Sequence, residues 1–197
     1  MSDRVALPHA FLFLDTQFTD FAGRHPLSVG IAGQDGRTLY VELTDTKRDA
    51  CTDFVVTQVL PLMGSSPAVL CNYAEAGSLL REWLAPYQGR DVVLVHDCVA
   101  DREILFDLLH GGRGGGRRVI GGDAEHESFR RLGRDLGLAD LLPMDVGQRV
   151  NQAAIEQFFD LNPRARRHRA LDNALALMAA FLAPPAGAAS GGVQHGE

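Results

Sequence analysis

The chain is nearly devoid of lysine: Lys47 is the only one, and arginine supplies the rest of its 19 basic residues. Against 25 acidic residues this leaves a formal net charge of −6. Proteins that coat nucleic acid by bulk charge carry a strongly basic face, so that class is excluded and only local arginine patches remain. Arginine suits bidentate phosphate contacts, but a genome of biased base composition produces the same preference. Cysteine is scarce too. Cys51, Cys71 and Cys98 are too few and too scattered for a disulfide framework, and no pair has zinc-ligand spacing. Long apolar runs are missing: nothing approaches the roughly 18 to 20 residues of a membrane span. Residues Met1 to Ala10 lack the basic-then-apolar layout of a secretory signal. A soluble, cytoplasmic protein with reduced thiols and no membrane contact is therefore expected.

What is present is enough for one domain. The 197 residues, 46% of them hydrophobic, fit a single unit over 1–182 followed by an Ala/Gly/Pro tail, 183–197, expected to be disordered. Phe11 to Leu14 is a fully apolar run ending in Asp15, which predicts a buried strand with an acid at its C-terminal end. Ser28–Ala32 and Thr38–Leu43 predict a hairpin turned at Asp35-Gly36. A helix is expected over about Asp49–Leu60, stopped by Pro61, and another over Glu75–Leu84. Asp91–Val95 is the clearest strand, and a helix follows from near Ala100. The glycine-rich residues 111–118 lack the Lys-Ser/Thr ending of a phosphate-binding loop, so they predict a connector. A short strand at Val119 and Ile120, a polar helix over Glu125–Leu136, an irregular stretch and a last helix over Ala170–Leu182 complete the reading. The order predicts an α/β domain with a mixed sheet flanked by helices.

Three separated stretches place acids or amides where a sheet and two helices can bring them together. The first is Asp15-Thr16-Gln17, in which residues two apart on a strand share a face. The second is His96-Asp97-Cys98-Val99-Ala100-Asp101, where a buried strand gives way to a helix. The third is His168-Arg169-Ala170-Leu171-Asp172-Asn173, at the start of the last helix. Each alone has a plain structural explanation, as a cap, a turn or a solvated residue.

Together and in this order they resemble the DEDDh 3'-5' exonucleases of the RNase H-like fold, over about residues 11 to 182. That superfamily includes RNase T, oligoribonuclease and proofreading exonuclease subunits. Its first motif, Asp-x-Glu followed by Thr, is matched by Asp15-Thr16-Gln17-Phe18-Thr19; its second, Ala-His-Asn-Ala-x-Phe-Asp, by Val95 to Asp101; its third, His-x-Ala-x-x-Asp, by His168 to Asn173. Residues 13–20 and 54–61 look most like a small bacterial exoribonuclease branch. The resemblance implies two-metal hydrolysis of phosphodiester bonds, with Mg²⁺ or Mn²⁺ held at Asp15, Gln17, Asp101 and Asn173, and His168 as general base. Asp15 and Asp101 would be catalytic with it. The implied partner is single-stranded RNA or a short oligonucleotide, touched by Phe18, Thr19, Arg166 and Arg167. A homodimer is compatible with it, since several relatives pair.

The chain departs from the pattern at two of four acidic positions: Gln17 stands for Glu and Asn173 for Asp. Both keep an oxygen and lose its charge, so the site is expected to be attenuated. Asp172 is a poor substitute, because adjacent helical residues differ by about 100° in direction. A catalytically inactive nucleic-acid-binding protein of the same fold is the alternative. An aspartyl phosphatase with Asp15 as nucleophile is disfavoured by Gln17, since that family carries a second Asp there.

Overall fold

The computed structural model describes residues 9–65, 67–111 and 123–183. The glycine-rich loop beyond Gly111, the strand expected at Val119 and Ile120, and the tail beyond Ala183 lie outside the described residues. The expected α/β architecture is present: a six-stranded mixed sheet with helices on both faces, consistent with an RNase H-like fold.

The strands are β1 (His9–Phe18), β2 (Pro26–Gly33), β3 (Thr38–Leu43), β4 (Val69–Cys71), β5 (Asp91–His96) and β6 (Asp140–Asp145), in the spatial order β4-β3-β2-β1-β5-β6. β1, β2 and β3 form an antiparallel meander, whereas β5 lies parallel to β1, β6 to β5 and β4 to β3. The hairpin turn uses Gly36 at φ 89°, a conformation that suits glycine. The helices are α1 (Tyr73–Leu84), α2 (Val99–Leu109), α3 (Asp123–Asp135), α4 (Gln152–Leu161) and α5 (Ala170–Leu182). Asn72 caps α1 in a reciprocal box with Glu75, which starts the helix two residues before the expected Glu75.

Side-chain alternation sorts the core into two layers. Leu12 and Leu14 of β1 join Val92 and Leu94 of β5 against α1, α2 and α3. Phe13, Val93 and Val95 point the other way, against Leu177 and Ala180 of α5. At Gly30 of β2 the backbone of the last helix packs directly onto the sheet. A Cβ there would lie 2.2 Å from the Leu171 nitrogen and 2.3 Å from the Ala170 carbonyl carbon, so only glycine admits α5 at this depth. Gly30 is the register partner of Asp15, and its missing side chain sets the start of α5 beside the end of β1.

Three elements differ from expectation. Residues 53–62 are helical but not a regular α-helix: a π-turn spans Val55–Val59 and a 3₁₀ turn follows at Leu60–Leu62, where Pro61 removes a donor. The irregular stretch contains edge strand β6, which tolerates Pro143 because an edge leaves one side of its ladder unpaired. It also contains α4, capped by the Asn151 side chain accepting from Ala154 N–H at 3.2 Å. No helix among the described residues is long and apolar enough to cross a membrane.

Candidate metal centre

The first and second stretches meet through Thr16 and Asp101. β1 ends beside the first turn of α2, where Asp101 is only 1% exposed. Thr16 donates both its backbone N–H (3.0 Å) and its hydroxyl (2.7 Å) to Oδ1 of Asp101. The other oxygen, Oδ2, is buried with no hydrogen-bond partner among the described residues. A buried carboxylate oxygen left bare is costly, and a cation is one of the few groups that offsets that cost.

The first and third stretches meet at Asp15. Gln17, two residues on and on the same strand face, donates its amide N–H to Asp15 Oδ2 at 2.8 Å. Asn173 reaches the same carboxylate from α5, with Nδ2 at 3.4 Å from each oxygen. Its own Oδ1 accepts the backbone N–H of His168 at 3.3 Å. Both residues that depart from the family pattern thus turn amide donors toward Asp15.

A third carboxylate completes the group. Asp15, Asp97 and Asp101 each bring an oxygen within 4.8 Å of the others, a cluster that can hold a metal ion. Asp97 is exposed, at the rim, immediately after β5. The sequence reading passed over it because the resembling motif has Asn at that place. Strand parity carried the signal: β5 runs parallel to β1 with Val95 opposite Phe13, so positions 97 and 15 are the next on the same face.

The electrostatics record the crowding. Burial first, then the charge of Asp101, pushes the Asp15 carboxyl well above the usual carboxylate range, against the hydrogen bonds from Gln17 and Asn173. Burial also raises Asp101 to about 7, aided by Asp97 and opposed by the bonds from Thr16. The protein packed around Asp97, and then Asp145, raises that carboxyl as well. Hard cations prefer such oxygen donors, so the residues present can hold a metal ion. Beside the cluster, burial lowers His96 to about 4; its Nδ1 lies 3.1 Å from the Cys98 carbonyl, and its buried Nε2 has no hydrogen-bond partner among the described residues.

His168 lies just before α5 in a left-handed conformation (φ 66°), uncommon for a residue with a side chain. Its backbone is gripped by Asn173, and the next residue is anchored more firmly. Arg169 pairs with Asp172 at 3.0 Å, both largely buried, and its guanidinium lies 4.6 Å from the Tyr40 ring centroid. Tyr40 in turn donates to the buried Glu42 at 2.8 Å. Asp172 also accepts the Arg166 N–H at 2.8 Å, so its carboxylate is committed to this turn and takes no part in the cluster with Asp15. The His168 imidazole stacks edge-on against Phe54, 5.0 Å between centroids, and Phe54 is 53% exposed. Burial, and then Arg167, lowers the His168 pKa.

Of the four residues expected to touch nucleic acid, two pack inward and two are held by neighbouring groups. Thr19 is fully buried; its hydroxyl donates to Asp20 at 3.2 Å and accepts from the His25 N–H at 3.3 Å. Phe18 packs against the main core and meets Phe21 edge-on at 5.2 Å. Arg166 turns its guanidinium onto the carbonyls of Pro163 and Ala165. Arg167 pairs with Glu156 and lies 4.4 Å from the Phe159 ring centroid. Phe54, within the expected helix, is exposed beside His168.

No family model matches the chain, and no curated protein matches it.

Proposed function

We propose that this protein is a divalent-metal-dependent 3'-5' exonuclease acting on the 3' end of short single-stranded RNA, slowed by Gln17 and Asn173. One observation supports the reading above the others: residues from three distant stretches converge on one place, where carboxylates crowd together and the buried Oδ2 of Asp101 meets no donor among the described residues. Mg²⁺ or Mn²⁺, when bound, would polarise the scissile phosphate and make water a nucleophile near neutral pH. Asp15 and Asp101 would hold the ion. Thr16 fixes the Asp101 carboxylate by two bonds to one oxygen, leaving the other for ligation. His168 takes the proton of the attacking water, and a lowered pKa keeps its imidazole neutral and ready to accept it. Phe54 offers an exposed ring on which the terminal base stacks. A cytoplasmic setting goes with this reading.

A second reading, a nucleic-acid-binding protein without turnover, is favoured by one observation: the amide groups of Gln17 and Asn173 both occupy Asp15. The experiment that decides is mononucleotide release from a 5'-labelled short RNA with Mg²⁺ or Mn²⁺, beside a Gln17→Glu, Asn173→Asp double variant. Trimming from the 3' end by the natural chain, faster in the double variant, is the expected result. Activity in the double variant alone establishes the second reading. Activity in neither overturns the nuclease assignment.

A further inference from the structure

We infer that the site is built for a single divalent cation, and that Asp97 supplies the third carboxylate that binds it. This rests on the metal-dependent reading above and specifies it. The argument begins with charge. The four-carboxylate pattern that the chain resembles balances two divalent ions, four negative charges against four positive. Here Gln17 and Asn173 remove two of those charges and Asp97 restores one at a new place. Three carboxylates neutralise one divalent ion and leave one charge over; two ions would leave a partly buried site net positive.

Geometry agrees with the count. Asp15, Asp97 and Asp101 present oxygens within 4.8 Å of one another, a spacing that lets one ion touch all three. An independent observation also points to a cation: Asp101 Oδ2 is a buried oxygen with no hydrogen-bond partner among the described residues, on a side chain whose other oxygen is pinned by Thr16. A second ion would need donors from Gln17 and Asn173. Gln17 turns its N–H groups toward Asp15, and the Asn173 oxygen is taken by the His168 backbone. The exposed position of Asp97 leaves the ion reachable from solvent, and so by a phosphate oxygen of the substrate.

The test is a Mn²⁺ titration of the full chain, with unbound Mn²⁺ followed by electron paramagnetic resonance, for the natural protein, Asp97→Asn, Asp97→Glu and the Gln17→Glu, Asn173→Asp double variant. One equivalent is expected for the natural chain. Asp97→Asn should weaken it by about tenfold or more, since even outer-shell changes cost that much. Asp97→Glu should recover most of the loss, and the double variant should take up a second equivalent. Because Asp97 lies at the surface and repels its neighbouring carboxylates, the metal-free melting temperature of Asp97→Asn should not fall below that of the natural chain, which separates lost ligation from misfolding. Unchanged Mn²⁺ affinity in Asp97→Asn, two equivalents in the natural chain, or no binding at all overturns the inference. One Asp97-dependent equivalent without RNA trimming leaves the inference standing and removes the nuclease reading. Trimming with an Asp97-independent site does the reverse.

Discussion

Asp15 and Asp101 bring carboxylate oxygens within 4.8 Å of each other, and the protein treats them in opposite ways. Asp101 has one oxygen fastened by Thr16 and the other buried without a partner. Asp15 has both oxygens within reach of the Asn173 amide, and Oδ2 within 2.8 Å of Gln17 as well. One half of the centre keeps a ligand ready; the other supplies its own substitute for a cation, as hydrogen-bond donors. Amide donors stabilise a carboxylate less than a divalent ion does, but they are always present. The comparison teaches that replacing an acid by its amide does more than delete a charge: it turns a fellow ligand of the metal into a competitor with it for the remaining acid.

The contrast depends first on α5 standing close to β1, so its severest disruption is Gly30→Ala. A methyl group 2.2 Å from the Leu171 nitrogen must push the helix off the sheet, and we expect a loss of about 3 kcal/mol, the upper end for overpacking. For a chain of this size that lowers the melting temperature by roughly 6 to 12 °C. A calorimetric scan checks it. Arg169→Ala comes next. It strands the Asp172 carboxylate, removes the contact with Tyr40 and unpins the turn that carries His168. Removing one partner of a largely buried pair predicts a loss of about 2 to 3 kcal/mol, measurable by urea unfolding.

The double variant Gln17→Glu, Asn173→Asp sharpens the comparison by making both halves alike. Without metal, two added carboxylates repel Asp15 in place of donating to it, and about 1 to 2 kcal/mol of stability should be lost. Saturating Mn²⁺ should restore it, and comparing melting curves with and without the ion checks both parts. Arg167→Ala should do least. Its ion pair with Glu156 joins two side chains that are 44% and 61% exposed, so a change of about 0.5 kcal/mol or less is expected in an unfolding titration. If RNA affinity nevertheless drops sharply in a filter-binding assay, the arginine exchanges Glu156 for phosphate on binding.

Much of this was legible in the sequence. The apolar runs before Asp15 and His96 identified β1 and β5, the two parallel neighbours whose ends carry the site. The spacing from His168 to Asn173 correctly set the third stretch at the start of α5. The helical-direction argument that separated Asp172 from Asn173 agrees with the structure, where Asp172 faces Arg169 and Asn173 faces Asp15. What stayed hidden depended on long-range contact. β6 was masked by Pro143, acceptable only because that strand is an edge. Residues 53–62 have near-helical apolar spacing, yet they wind into a π-turn that leaves Phe54 exposed against His168. Gly30 gave no sign of its role, since its constraint is a helix 140 positions away in sequence. Asp97 was hidden by the resemblance itself, which directs attention to the positions where acids are expected.

The central claim is that Asp15, Asp97 and Asp101 together bind a divalent cation. A crystal of the protein soaked in Mn²⁺, measured for anomalous scattering, tests it most directly. The account predicts one peak among the three carboxylates, in contact with Asp101 Oδ2. A peak elsewhere, one touching Gln17 and Asn173 but not Asp97, or none at saturating Mn²⁺ would contradict it.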